Sequence, residues 1–303
     1  MGGRVVIAID LGATKAALAT VREDGVVLGR MRMPTPRMAP AAAAARWAQR
    51  GVRLPGATDA VAVGMAMPAI VDDEGRVTWA APSVPDWTDA DARAVLESAF
   101  GLPAAVIFDG YAATAGEAVF GGGAGARSVV TIIVGTGMGA GAWVDGRVIR
   151  GVVGVAGAVG HDRWPTGPGT LSGPAESVAS GPGILALARR LDPVAAYADT
   201  PAVFRAAKAG DDAARAAIAE AAAIAGAVAG SAVNLIAPEV VVWTGGVGSR
   251  ADFSAAASRV ARVCSQPFAI GRTRFVRSRL GAESSLMGAA AGALAAATGR
   301  TPG

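Results

Sequence analysis

The chain has 303 residues, 52% apolar and 17% charged, with a net charge of +4, one cysteine and one histidine. That length and apolar content exclude a disordered chain and are enough for two ordinary domains. The lone Cys264 excludes an intrachain disulfide framework and any multi-cysteine zinc site. The scattered basic residues, densest at Arg22, Arg30, Arg32 and Arg37 without interleaved aromatics, do not make a nucleic-acid surface.

The N-terminus runs directly into a strand, RVVIAID, without a signal peptide's apolar stretch, so a cytoplasmic protein is expected. The loop LGAT, a second strand KAALATV, the turn Glu23-Asp24-Gly25 and a third strand VVLGRMRM follow. Asp-Gly between apolar runs is a hairpin signal. Further on, AAVIF reads as a short strand ending at Phe108 and Asp109, with a helix beginning near Tyr111. Residues 128–150 then repeat the opening pattern: SVVTIIV, the loop GTGMGA, GAWV, the turn Asp145-Gly146, and RVIR.

Each half thus places a glycine-rich turn between its first two antiparallel strands. Such turns offer backbone N–H groups without side-chain obstruction, a surface suited to phosphate oxygens. The first contributes Gly12, and the second Gly135, Thr136, Gly137 and Gly139. Asp10 ends the first strand, where its carboxylate suits a hydrated magnesium ion near those phosphates. Thr14 and Lys15 add a hydroxyl donor and a positive charge. Either loop alone reads more readily as an ordinary β-turn; it is the duplication that favours phosphate binding. GTGMGA formally satisfies the dinucleotide fingerprint G-x-G-x-x-A, but that fingerprint needs a helix after the loop and here a strand follows.

The stretch Ala213–Ala237 is apolar enough to raise the question of a membrane helix. It is mostly alanine, contains Glu220 and runs on into a further strand, so a buried helix is expected and no membrane partner. NLIAPEVVVWTGGV reads as a helix end, a buried strand Val240–Trp243, and Thr244-Gly245-Gly246. A glycine pair at a strand's carboxyl end lets a flat ring such as a base or ribose approach the backbone. An alanine-rich helix at about 285–298 closes the chain.

Together these stretches resemble the sugar-kinase fold shared with actin, and more narrowly the ROK family of bacterial glucokinases, related sugar kinases and transcriptional repressors. DLGATK (10–15) is similar to the family's first phosphate loop, and GMAMPAIVDDEG (64–75) with APSVPDW (81–87) to its substrate-side loops. FDGYAATAGEAVFG (108–121) resembles its catalytic segment, and GTGMGAGAWVDGRVIRG (135–151) its second phosphate loop. AGAVGH (156–161) and ESVASGP (176–182) resemble its signature region, and NLIAPEVVVWTGG (234–246) its adenosine stretch.

The resemblance implies an α/β, two-domain actin-like (ribonuclease H-like) fold with a central cleft. The domains would be 1–120 plus the C-terminal helix (about 285–303), and a larger one over 121–284. It also implies ATP and Mg2+, a small sugar-like substrate and a homodimer or higher assembly. The γ-phosphate would pass to a primary hydroxyl, with Asp109 as the general base. An aspartate ahead of a helix is also a natural N-cap, and the two roles are compatible.

Ala69, Phe108, Asp109, His161 and Glu176 fall on the sugar-binding positions, and several depart from the family's pattern. The family's Asn-Asp pair is Phe108-Asp109, a P-G glycine is Ala69, and the A-G-E-x-G-H glutamate is Ala158. Loss of that glutamate weakens binding of a fitted sugar roughly tenfold to a hundredfold. The family's zinc-binding cysteines fall at Gly167, Gly169 and Pro174, so no zinc site is expected. Proline and glycine would instead restrict that segment as a loop. His161, the sole histidine, would then contact substrate and find another partner for its second nitrogen. Two further readings stand beside a hexose kinase: a kinase for an aminosugar or a C7 cyclitol, and a non-catalytic sugar-sensing regulator.

Overall fold

The computed structural model describes residues 3–167 and 170–299. The chain forms two compact units: Met1–Arg127 with Trp143–Ala156 and Glu283–Gly303, and Ser128–Ala142 with Gly157–Ala282.

The first unit begins with β1 (Val5–Leu11), β2 (Lys15–Arg22), β3 (Val27–Pro34) and α1 (Pro40–Gly51). It continues through β4 (Ala60–Met67), the small hairpin β5 (Ala69–Val71) and β6 (Val77–Ala80), α2 (Ala92–Phe100), β7 (Ala104–Phe108) and α3 (Asp109–Val119). The second unit takes up the chain at β8 (Ser128–Val134) and β9 (Met138–Val144), whose last residues return to the first unit and pair with β10 (Arg147–Val148). Then come β11 (Arg163–Gly167), β12 (Thr170–Pro174), α4 (Gly181–Leu191), α5 (Thr200–Ala209) and α6 (Asp212–Ile236). The second unit ends with β13 (Val240–Thr244), α7 (Gly245–Gly248), α8 (Ala251–Cys264), α9 (Pro267–Ile270) and β14 (Arg274–Arg277), and α10 (Ser284–Ala296) belongs to the first.

The first unit's sheet runs β3-β2-β1-β4-β7, with β1, β4 and β7 parallel and the β1-β2-β3 meander antiparallel. One face packs through Trp47 of α1, Leu96 of α2 and Trp87 onto Ile9, Leu18 and Met65, all of them buried. The other face carries α3 and α10. At their crossing a Cβ on Gly288 would run into the backbone of Ala112, so only glycine allows this close approach. The closing helix therefore packs closely in the first unit through its small residues, alanine and glycine above all.

In the second unit β8, β13 and β14 are parallel neighbours, with β9 beside β8. Among the described residues α6 is the one helix long and apolar enough to cross a bilayer. It lies in this unit's core, packed against α4, α5 and α8, with Ala214, Ala217, Ala221, Ala225 and Val233 buried.

Three local features differ from the sequence reading. α3 begins at Asp109 and not near Tyr111, because Phe108 already has the extended backbone of an N-cap. Strand β9 starts at Met138, which places Gly139 in the strand and shortens the second glycine turn to 135–137. The segment expected as a restricted loop is an antiparallel ribbon, Arg163 opposite Pro174 and Gly167 opposite Thr170, with Gly169 outside the described residues.

Candidate active site

In the first unit the chemistry collects where parallel strands end. β1 finishes with Asp10-Leu11, β4 with Met67, and β7 with Phe108, in register Asp10–Ala66 and Met67–Phe108. Carboxyl ends of parallel strands are where open α/β sheets bind ligands. Gly12–Thr14 turns the chain back into β2, closed by the Gly12 N–H to the Lys15 carbonyl at 3.0 Å. Thr35, just past β3, clamps this turn: its hydroxyl donates to the Gly12 carbonyl at 2.7 Å and its N–H to the Thr14 carbonyl at 3.0 Å. Thr14 and Lys15 are left exposed.

Two carboxylates stand on this edge. Burial raises the Asp10 carboxyl above its ordinary value, with Arg32 opposing. Asp109 is pushed from its ordinary 3.8 to about 6, chiefly by burial, with a backbone bond from Gly110 opposing and the charge of Asp10 adding to the rise. Asp109 is thus a carboxylate that stays mainly ionised at neutral pH yet is more basic than an exposed one. It is the first residue of α3, whose N-terminal dipole favours its charge. The N-cap itself is Phe108, which makes no side-chain cap bond. No described residue donates a hydrogen bond to the Asp10 carboxylate, so its oxygens suit a hydrated hard cation. Among the described residues no three His, Cys, Asp or Glu side chains gather into a metal cluster.

Ala69, on the same unit, is fully buried and opens β5 opposite Ala80. Phe108 is half-buried, its ring edge-on to Tyr111 at 5.3 Å.

In the second unit the turn 135–137 closes with the Gly135 N–H on the Gly137 carbonyl at 2.9 Å. The Gly135 carbonyl accepts the first amide of α4, Gly181 N, at 2.7 Å. Glu176, in a 3-10 turn at 175–177, reaches back to accept the Met138 N–H at 3.4 Å. At the end of β13, Gly245 takes φ +85° with its α-carbon against the Val134 backbone, a position no side chain fits. Gly246 has open space beside it. Gly135, Gly137, Gly245 and Gly246 therefore gather as one backbone surface, while Thr136 is exposed and Gly139 sits one step away in β9. His161 ends a 3-10 turn beginning at Val159; it is exposed, and its imidazole has no hydrogen-bond partner among the described residues. The second partner expected for it is not found there.

The sequence reading did not single out Thr35, Tyr111, Arg150 or Gly181. Their roles are contacts made by backbone carbonyls and a clamp hydroxyl, for which sequence carries no motif. Arg150 lay in plain view at the end of RVIR, but only the fold reveals its partners.

A model of the ROK family matches residues 6–296. A glucokinase from Streptomyces coelicolor is 36% identical over 160 residues, covering 52% of this chain and 50% of that protein; the chain thus matches about half of that relative's length. Among solved structures, a ROK hexokinase from Thermus thermophilus superposes with a TM-score of 0.81 at 31% identity, covering 96% of this chain and 98% of that one. A ROK glucokinase from Streptomyces griseus, solved with glucose and AMPPNP, superposes with a TM-score of 0.72 at 29% identity, covering 96% of this chain and 99% of that one. The α/β architecture is that of the actin-like sugar kinases. With the family's model running from the first strand to the last helix, the chain belongs to the ROK family.

Proposed function

We propose that the protein is an ATP-dependent kinase of the cytoplasm that phosphorylates the primary hydroxyl of a hexose-like molecule, with Asp109 as general base. One observation carries this reading: Asp109 is a half-buried carboxylate at the carboxyl end of β7, opening α3 and lying in the field of Asp10. The similarity to a glucokinase and to a kinase structure holding glucose and AMPPNP supports the same reaction class. Asp109 takes the acceptor's proton as that oxygen attacks the γ-phosphorus; the bond to the β-phosphate oxygen breaks, and ADP leaves. A base with a pKa near 6 is mostly ionised at pH 7 yet stronger than an ordinary carboxylate, which suits proton abstraction. The Gly12 turn and the turn 135–137, through amides other than those of Gly12 and Gly135 that close them, would with Lys15 and Thr14 hold the phosphates. Asp10 would hold a hydrated magnesium ion, which when bound neutralises phosphate charge.

The acceptor side favours a ring other than plain glucose. Phe108 sets an aromatic edge where the family resemblance implies an amide, and Ala158 offers no carboxylate. His161 and Glu176 remain as polar groups for the ring, and the Ala69 backbone as a further donor.

The test is ADP release measured against glucose, mannose, N-acetylated sugars, kanosamine and cyclitols, with wild type and Asp109→Asn side by side. Wild type should turn over at least one of them, and the variant should fold and lose about a hundredfold to ten-thousandfold in rate. Undiminished turnover by Asp109→Asn would remove Asp109 from the reaction.

A further inference from the structure

The first turn of α3 is tied to two other pieces of the first unit by side chains that the proposed reaction leaves unused. Tyr111, one residue from Gly110 and buried, sends its hydroxyl to two carbonyls, Ala156 at 3.0 Å and Arg150 at 3.2 Å. The same Arg150 carbonyl accepts the Ala156 N–H at 3.2 Å, so residues 150–156 form a loop pinched at its neck, and Tyr111 closes the neck. Beyond the neck Val152, Val153 and Val155 are exposed. The Arg150 side chain points the other way. Its guanidinium donates to the Asp73 carboxylate at 2.8 Å and to the Val71 carbonyl, both on the hairpin that begins with Ala69. On the helix side the Phe108 ring meets the Tyr111 ring edge-on at 87°.

We propose that Tyr111 and Arg150 are positioning residues for the acceptor: through the pinched neck at 150 and 156 they fix the helix turn that bears Phe108 and Asp109 relative to the hairpin that bears Ala69. This rests on the kinase reading above, and goes beyond it by naming what sets the geometry of the base.

The chemistry of the network fits that role better than packing alone. A phenylalanine at 111 would keep the ring, its burial and its contact with Phe108. The hydroxyl adds only the link to the neck, and a single O–H shared between two carbonyls holds both at once. Arginine at 150 serves two acceptors with a rigid planar fork, whereas a lysine's ammonium has three donors but no fixed geometry to hold both at once. The chain runs on from Ala156 directly into 157–161, the stretch with Ala158 and His161. Misplacing a reacting group by about 1 Å costs on the order of a hundredfold in rate, so even a small loosening is measurable.

The experiment compares wild type, Tyr111→Phe, Arg150→Lys and Arg150→Ala. With the best acceptor from the panel, Tyr111→Phe should lower kcat/KM for the acceptor about tenfold while KM for ATP stays within about twofold. Arg150→Ala should lose more, and Arg150→Lys should recover part of that loss. Amide hydrogen exchange without any acceptor gives the second reading: Tyr111→Phe should speed exchange at 108–112 and at 150–156 together, about tenfold, with the melting temperature nearly kept. Equal losses toward acceptor and ATP that track a lowered melting temperature would reduce the network to ordinary fold support. Unchanged exchange in both segments would overturn the coupling, whether or not wild type turns over any sugar. A wild type inert toward the whole panel counts against the kinase reading alone, and the exchange result still decides this one.

Discussion

In the first unit the glycine turn follows a carboxylate, Asp10, and leaves Thr14 and Lys15 in solvent, whereas the turn after β8 in the second unit exposes only Thr136. Their supports differ as well. The first is clamped from β3's side by Thr35 through its hydroxyl and its amide. The second is braced from behind, by the first amide of α4 on Gly135 and by Glu176 on Met138. The same backbone plan therefore carries two kinds of chemistry. The amides proposed for phosphate oxygens occur in both, because each tight glycine turn leaves some of its N–H groups outside its closing bond. The carboxylates proposed for a cation and for a base, Asp10 and Asp109, occur in one, beside strand ends that bury them enough to raise their proton affinity.

The comparison breaks most visibly at Asp109. If the first unit holds the reacting charge, activity should rise with pH through about 6 as the carboxylate ionises, and Asp109→Asn should abolish that limb of the profile. The stability effect has the opposite sense. A carboxyl held above its ordinary 3.8 favours the fold when protonated, so its contribution is fullest at low pH and is lost as pH rises toward about 6. Between about pH 4.5 and about pH 7, Asp109→Asn should gain about 2 kcal/mol on the wild type in urea unfolding. A parallel pH course for the two proteins would mean that Asp109 titrates like an exposed carboxylate.

The backbone side of the comparison is sharpened at Gly245. Alanine there meets both φ +85° and the Val134 backbone, so Gly245→Ala should destabilise the fold by about 1–3 kcal/mol. In whatever protein stays folded, KM for ATP should rise while KM for the acceptor holds. An equal rise in both would remove this turn from the nucleotide side. The smallest shift is expected in the pH profile left after the charge of Asp10 is removed. That charge contributes to the rise at Asp109, so Asp10→Asn should move the midpoint of the residual pH profile downward, by less than about one pH unit. An upward movement would contradict the coupling of the two acids.

Much of this was legible in the residues. The duplicated strand–turn–strand pattern, the Asp-Gly hairpins and the alanine helices carry their own periodicity and turn chemistry, and Asp10, Gly12, Gly135, Gly245 and Asp109 stand at recognisable places in it. Boundaries were less legible. Asp109 reads as a residue ahead of a helix, but Phe108 serves as cap, a role its side chain does not announce. Gly139 reads as part of a turn, and yet the strand claims it once β9 pairs from Met138. The ribbon at 163–174 was hidden by prolines and glycines, which usually mark loops, since strand pairing depends on what lies opposite.

By itself the amino-acid order determined the class of fold, the two glycine turns between strands and the presence of an acid after a short strand. These are local properties, set by period, glycine conformations and the spacing of neighbours along the chain. Tertiary structure alone decided the proton affinity of that acid and the pinch formed by Tyr111, Arg150 and Ala156. Both arise from groups far apart in sequence, where burial and hydrogen-bond geometry exist only after the strands and helices have packed.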